Sequence, residues 1–384
     1  MNDRIVQTFK NCIGTACFLV AVLLITVPLA ALEKPEGAIQ KIRQRCFSIL
    51  FHAIKSENAY IRGAAARAAG ESKDPALIPL LKKASTDVYH TNRLFALQGL
   101  KSFSEKDAAA TALNLSRDSN VWVKSAALEI LGELGGPEAK EKIRPQLDSP
   151  DRPVRMAAAA ALYKLGEKEH LSLLLEMSRD SNSISRYQAI GYLGKIRTEE
   201  MLPHLTALLD DREDEVVFYS LKAIGPLARP DIFPQLTKLT LSNNPSIRYQ
   251  AVLIMGHLPP DISLSRVREL CEDADPMVRV SAAVSMNRLG SEECGKVFAE
   301  ELENSDYGVR STAARILGEI NLSDRVQLLD HALKDENTRV RTAGVRAVGM
   351  MGGAEAFPLL MRMLDDPQEA VRAYAAGNLI KLTS

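Results

Sequence analysis

Eleven positions thirty-one residues apart hold Arg62, Arg93, Lys124, Arg155, Arg186, Val217, Arg248, Arg279, Arg310, Arg341 and Arg372, all basic except the valine. A row of guanidinium groups could do chemistry, because each presents a planar fork of donors that fits a carboxylate or phosphate. Helical geometry points to a structural use instead. The anchor position lies in the middle of an arc set by apolar residues one before it and three, four and seven after it, as in Val309, Ala313, Ala314 and Leu317. A cation placed there needs a partner. Asp87, Asp118, Asp180, Asp211, Asp273, Asp335 and Asp366 recur six residues before the anchor, and carbonyls of a neighbouring repeat are a second source. The arginines therefore read as a structural ladder.

A second pattern is aromatic. Tyr187, Phe218 and Tyr249 follow the anchor directly in three successive units, with Tyr219 beside them, in a chain only 5% aromatic. Stacked units would align these rings as an anchor for a partner; the competing use is filling gaps on the flank of the apolar stripe. Asp210-Asp211-Arg212-Glu213-Asp214-Glu215 reads as a solvated turn without a calcium-loop pattern. His52, His90, His170, His204, His257 and His331 occupy scattered positions, and no Gly-rich phosphate loop, nucleophile elbow or zinc spacing occurs. The reading assigns no catalytic residue, metal ligand or cofactor. Cys12, Cys17, Cys46, Cys271 and Cys294 form no disulfide framework; a Cys271–Cys294 bridge is conceivable but not expected.

The period that positions these residues is that of stacked supersecondary units. Each unit reads as two helices. The glycine eight residues after the anchor, as in Gly132 or Gly318, is expected to stop the first helix. Apolar residues such as Leu202, Leu205 and Leu209 mark the second. Pro79, Pro203, Pro234 and Pro358 fall early in that second helix. Neither helix can bury its stripe alone, so the pairs must stack, and Ala three residues past the anchor lets them approach. The expectation is an all-α, α-α superhelix over residues 33–384, an elongated body of about eleven units that begins and ends on half-repeats.

The recurring Val-Arg-x-x-Ala motif with its terminal Gly resembles the HEAT repeats, in particular the short class of phycobilisome lyase subunits and deoxyhypusine hydroxylase. The resemblance covers Pro35 to the C-terminus. It implies a right-handed superhelix whose second helices line a concave binding face. Deoxyhypusine hydroxylase binds iron through His-Glu pairs, and no histidine of this chain is followed by Glu, so iron hydroxylation is not expected.

Residues 1–32 read as a signal peptide or transmembrane anchor, since no charge occurs from Asn11 to Leu32 and Arg4 and Lys10 precede the run. Charges balance at 48 basic and 48 acidic residues, which argues against nucleic acid as a partner. The resulting expectation is a non-enzymatic interaction scaffold for a protein partner, exported to the periplasm or held at the inner membrane by its N-terminal segment. A phycobilin-lyase-like factor for chromophore attachment is the alternative.

Overall fold

A computed structural model describes residues 35–384. The expected signal or anchor, residues 1–32, lies outside them. No helix among the described residues is long and apolar enough to cross a membrane.

All regular structure among the described residues is helical, and the chain forms two compact units. The first comprises the described residues up to Phe103 together with Arg310–Glu319 and Ser323–Ser384. It opens with α1 (Pro35–Ala53), α2 (Ala59–Ser72), α3 (Ile78–Ala84) and α4 (His90–Lys101). The second unit, Ser104–Val309 with Ile320–Leu322, begins with α5 (Glu105–Leu115), α6 (Val121–Leu134), α7 (Pro137–Ile143), α8 (Arg152–Lys164), α9 (Leu171–Met177) and α10 (Ser183–Ile196). It continues through α11 (Leu202–Ala207), α12 (Asp214–Ile224), α13 (Phe233–Leu239), α14 (Pro245–Met255), α15 (Pro260–Glu269), α16 (Pro276–Arg288) and α17 (Lys296–Leu302). The chain then passes along α18 (Tyr307–Ile316) and returns to the first unit with α19 (Arg325–Ala332), α20 (Thr338–Met351), α21 (Gly353–Met363) and α22 (Glu369–Leu382). Even-numbered helices carry the anchor and are the first of each pair; odd-numbered ones are the second.

The alanines three residues past the anchor, among them Ala65, Ala127, Ala189, Ala251 and Ala375, are fully buried. Asparagine or aspartate caps many first helices: the side chains of Asn58, Asn120, Asn182, Asn244, Asp275 and Asn337 accept backbone N–H groups of the opening turn. Pro79, Pro203 and Pro234 fall in the first turn of α3, α11 and α13, where an absent N–H breaks no bond. Pro358 lies inside α21, which starts earlier than its pattern suggests.

The periodic glycine stops the first helix as expected at Gly225 and Gly256, the C-caps of α12 and α14, but has a different job in other repeats. Gly70, Gly132, Gly194 and Gly349 lie inside α2, α6, α10 and α20, and none has a positive φ. A Cβ on Gly70 would stand 2.6 Å from the Gly99 Cα, and one on Gly132 2.6 Å from the Ala161 Cα. The missing side chain sets how closely consecutive first helices approach. The helix stop comes three residues later, where Gly135, Gly166, Gly290 and Gly352 hold positive φ. At the same place two repeats use Lys73 (φ 57°) and Arg197 (φ 55°).

The two half-repeats do not act as separate caps. Within the first unit α22, a first helix without a second, packs against α1, a second helix without a first, and against α2. The Arg43 guanidinium on α1 donates to the Ile380 carbonyl at 3.1 Å and to Asp74 at 2.6 Å. Between Ala370 and Ile380 every residue of α22 except Arg372 is buried. A terminal helix facing solvent would keep a polar side.

The cysteine reading needs correction, because Cys271 and Cys294 are joined in a disulfide. The bridge ties the end of the α15 segment to the residues entering α17, two consecutive second helices that otherwise make little contact. Their sequence separation of 23 places the loop in the range where cross-linking contributes about 3 kcal/mol. Reduction, or Cys294→Ser, is therefore expected to lower the unfolding free energy of the second unit by about that amount and shift its denaturant midpoint down accordingly; identical curves with and without reductant would refute it. Cys46 is a buried free thiol whose pKa is pushed up to about 12 by burial, which leaves it unreactive.

Candidate binding site

The arginine ladder lies inside the stack. In Arg62, Arg186, Arg248, Arg310 and Arg341, Nε and Nη2 donate to the carboxylate of the aspartate twenty-five residues on: Asp87, Asp211, Asp273, Asp335 and Asp366. Nη1 turns back to carbonyls of the preceding turn, as in Arg62 to Ser56 and Glu57, both at 2.9 Å. The partners expected from sequence thus exchange roles, the carboxylate coming from the next repeat and the carbonyls from the arginine's own. Each aspartate also accepts the N–H two residues ahead, as Asp273 does from Asp275. Arg279 is served by Glu301, while Arg155 and Arg372 each bond two carbonyls of the preceding turn. Burial pushes the carboxyls of Asp87, Asp273 and Asp335 up, but the arginine and backbone donors outweigh it and hold all three below the ordinary range. Arg93 donates to the Asp87 and Val88 carbonyls at 2.8 and 3.2 Å. These bonds hold turns together.

The exposed chemistry lies on the other side of the same helices. Resemblance implies a concave face lined by second helices, but within each unit the first helices are the ones in close contact: α2 with α4, and the run α6, α8, α10, α12, α14, α16. A stack bends toward the side on which its elements come closest. Side chains that reach across an intervening repeat mark that inner side. In the second unit Lys195 of α10 meets Glu129 of α6 at 2.7 Å, although α8 lies between them in the stack. In the first unit Arg346 of α20 meets Glu71 of α2 at 2.6 Å, passing α22 at Gly377, whose added Cβ would stand 2.6 Å from the Ala68 carbonyl oxygen. The positions five and nine residues past the anchor therefore face the inside of the bend.

On this face the second unit holds the aromatic group. Tyr187 stacks on Tyr219 with ring centroids 5.0 Å apart, and Phe218 meets Tyr219 edge-on at 5.5 Å. Lys222, one turn further along α12, stands 5.6 Å from the centroids of both Phe218 and Tyr219. All three rings are half-buried, as is Tyr249 one repeat further on. The stack thus runs from Tyr187 to Tyr219, the ring next to the position that the repeat aligns with it.

The first unit holds a cavity of about 380 Å³ lined by Arg67, Glu71 and Lys73 of the α2 segment, Phe95 of α4, Arg346 and Met350 of α20, and Lys381 of α22. Arg67 donates to Glu71 at 3.1 Å and lies 5.4 Å from the Phe95 ring centroid; Arg346 lies 5.6 Å from that of Tyr374. Burial works against the Arg346 cation, and the Glu71 carboxylate outweighs it. Sequence spacing could not find this group. Arg67 and Arg346 share one register position, five past the anchor, but nothing in the spacing says that the first and last repeats are neighbours.

Among the described residues Glu167, Glu169 and His170 have the spacing of metal ligands. Hydrogen bonds from Arg144 and Lys140 hold the Glu167 carboxyl down at about 2, so cations of the chain already occupy it.

A family model described as HEAT repeats matches residues 84–162, 141–225 and 295–380, more than half of the chain. The chain belongs to the HEAT-repeat family. No curated protein matches its sequence. Among solved structures this HEAT protein is similar to human deoxyhypusine hydroxylase in complex with glycerol, at 21% identity over 74% of this chain and 98% of that one, TM-score 0.32. It is similar to the CpcE and CpcF complex of phycocyanin lyase from Nostoc sp., at 19% identity over 63% of this chain and 94% of that one, TM-score 0.41. It also resembles Kap121p, at 13% identity over 86% of this chain and 45% of that one, TM-score 0.42.

Proposed function

We propose that this HEAT protein is a non-enzymatic scaffold that holds a protein partner on the inner face of its first helices. The observation that carries the reading is the half-buried Tyr187, Phe218 and Tyr219 group, with Tyr249 beyond it, on that face. Rings already stacked lose little conformational freedom when covered, and tyrosine is among the residues enriched at the energetic centres of protein interfaces. The arginines that could have served a ligand are instead engaged with aspartates and carbonyls.

The site of action is proposed to be outside the cytoplasm, in the periplasm or at the inner membrane. The Cys271–Cys294 bridge supports this, since such bonds persist in oxidising compartments.

The test is affinity capture from a native membrane and periplasmic extract with residues 33–384, set against a variant with Tyr187, Phe218, Tyr219 and Tyr249 changed to alanine. A truncated hot spot costs about 2 kcal/mol or more, so the variant is expected to retain under a tenth of the captured partner while keeping its helical spectrum. Equal recovery by the two proteins would remove the aromatic group as the site.

A further inference from the structure

Positive charge is spread along the inner face of the second unit, where Lys164 meets Glu133 at 3.1 Å, Lys195 meets Glu129 at 2.7 Å, Lys222 stands against the rings and Arg288 lies 3.2 Å from His257. The cavity of the first unit gathers Arg67, Lys73, Arg346 and Lys381 around a single carboxylate, Glu71, which both arginines share. Among the described residues no carboxylate pairs with Lys73 or Lys381; Lys381 donates to the Gly349 carbonyl at 3.3 Å. Three positive charges in excess around one concavity repel one another, in a chain whose total charge is zero.

Lys73 adds a second, independent observation. It holds a left-handed backbone, φ 57°, at the helix stop where other repeats place Gly135, Gly166, Gly290 and Gly352. A side chain is kept there against its conformational preference, as Arg197 is in another repeat, and here it belongs to a cation that lines the cavity. Of the uncharged lining, Gln98, Ser102 and Asn378 are polar, while Phe95 and Met350 are apolar and partly exposed, so the cavity offers both counter-charge and hydrophobic contact.

We propose that this cavity is a recognition pocket for an acidic peptide segment of the protein partner, with Lys73, Lys381 and the two arginines receiving its carboxylates and Phe95 and Met350 covering an apolar side chain between them. The proposal rests on the scaffold reading and names the chemistry of the partner. Charge complementarity selects the occupant. A peptide supplies several carboxylates at intervals along a chain, which matches cations distributed over α2, α20 and α22.

The probe is a fluorescent hexapeptide of four glutamates and two phenylalanines, titrated into residues 33–384 by anisotropy, with a glutamine-for-glutamate peptide alongside. The glutamate peptide is expected to bind at least tenfold more tightly, and the preference should shrink as salt rises. Lys73→Gly, which installs the residue other repeats use there, should keep the thermal midpoint or raise it while weakening the peptide about fivefold. Combining it with Lys381→Gln should weaken binding beyond tenfold. Equal affinity for the two peptides, or an unchanged affinity in the double variant, overturns the proposal, as does tighter binding of inorganic phosphate or of anionic lipid vesicles than of the peptide. Partner capture separates this idea from the one beneath it. If the double variant still captures every partner, the pocket fails and the scaffold stands; if the parent captures none yet binds the peptide as described, the scaffold fails and the pocket stands.

Discussion

Arg248→Ala is expected to destabilise the second unit by about 3 to 5 kcal/mol, because it strips the partner from a desolvated carboxylate. Arg248 donates to Asp273 through Nε at 2.9 Å and Nη2 at 2.7 Å, and to the Ser242 carbonyl through Nη1 at 2.9 Å. The two side chains are only 15% and 10% exposed, so water cannot replace the lost donors. Because Asp273 is also bonded by the N–H of Asp275, the turn of the following repeat loosens as well. The pair has a pH signature. Burial raises the Asp273 carboxyl, the bonds from Arg248 and Asp275 lower it more, and the net folded value lies below that of an unfolded aspartate. The unfolded chain therefore binds the extra proton in acid. The rung contributes fully above about pH 4 and is lost as the pH falls through the folded value. Denaturant midpoints measured from pH 7 down to pH 2 should fall with acid in the parent and fall less steeply in Arg248→Ala. A variant that unfolds at the parent's midpoint at neutral pH would show that the guanidinium is solvated.

Deleting α1 should have a still larger effect on the first unit, on the order of 5 to 10 kcal/mol, enough to abolish its cooperative transition. Cys46, Leu50 and Ala53 are buried on this helix, which packs against α22, where Val371, Ala375 and Leu379 are inaccessible to solvent. Exposing several fully buried aliphatic side chains at about 1.5 to 3 kcal/mol each, together with losing the Arg43 bonds to Ile380 and Asp74, gives the estimate. A permuted chain in which residues 35–57 follow Ser384 through a flexible linker should recover the transition, since the contacts do not depend on which end of the chain supplies the helix. Native-state hydrogen exchange would report both results. Unchanged protection of α2 and α22 amides after deletion would mean that the two half-repeats are independent caps.

Much of this was legible in the sequence. The thirty-one-residue period, the paired helices and the burial of alanine three past the anchor all follow from spacing, because each repeat meets its neighbours in the same way. The arginine partner was ambiguous for a physical reason. An aspartate six before one anchor is also twenty-five after the previous one, so periodicity locates the residue without saying which repeat uses it. The helix stop held at Gly225 and Gly256 but was misplaced where glycine has two uses: Gly132 permits contact with Ala161, whereas Gly135, with φ 74°, ends the helix. Spacing does carry a signal for the stop, since Gly135, Gly166, Gly290 and Gly352 keep one register, eleven residues past their anchors. The aromatic residues were visible as a row, but their pairing of Tyr187 with Tyr219 depends on the turn of one helix against the next. The basic cavity was out of reach, since it needs α22 beside α2.

That adjacency also bears on how the protein is made. A ribosome delivers α1 and α2 long before their neighbour exists: the Arg43 bond to Ile380 spans 337 residues of chain, and the Arg346 bond to Glu71 spans 275. At about 5 to 20 residues per second, the apolar sides of the early helices wait tens of seconds for the last segment to be translated. Synthesis order therefore makes the first unit the late-maturing part of the molecule, and the part with most to gain from a chaperone that shields α1 and α2 until α22 has been made.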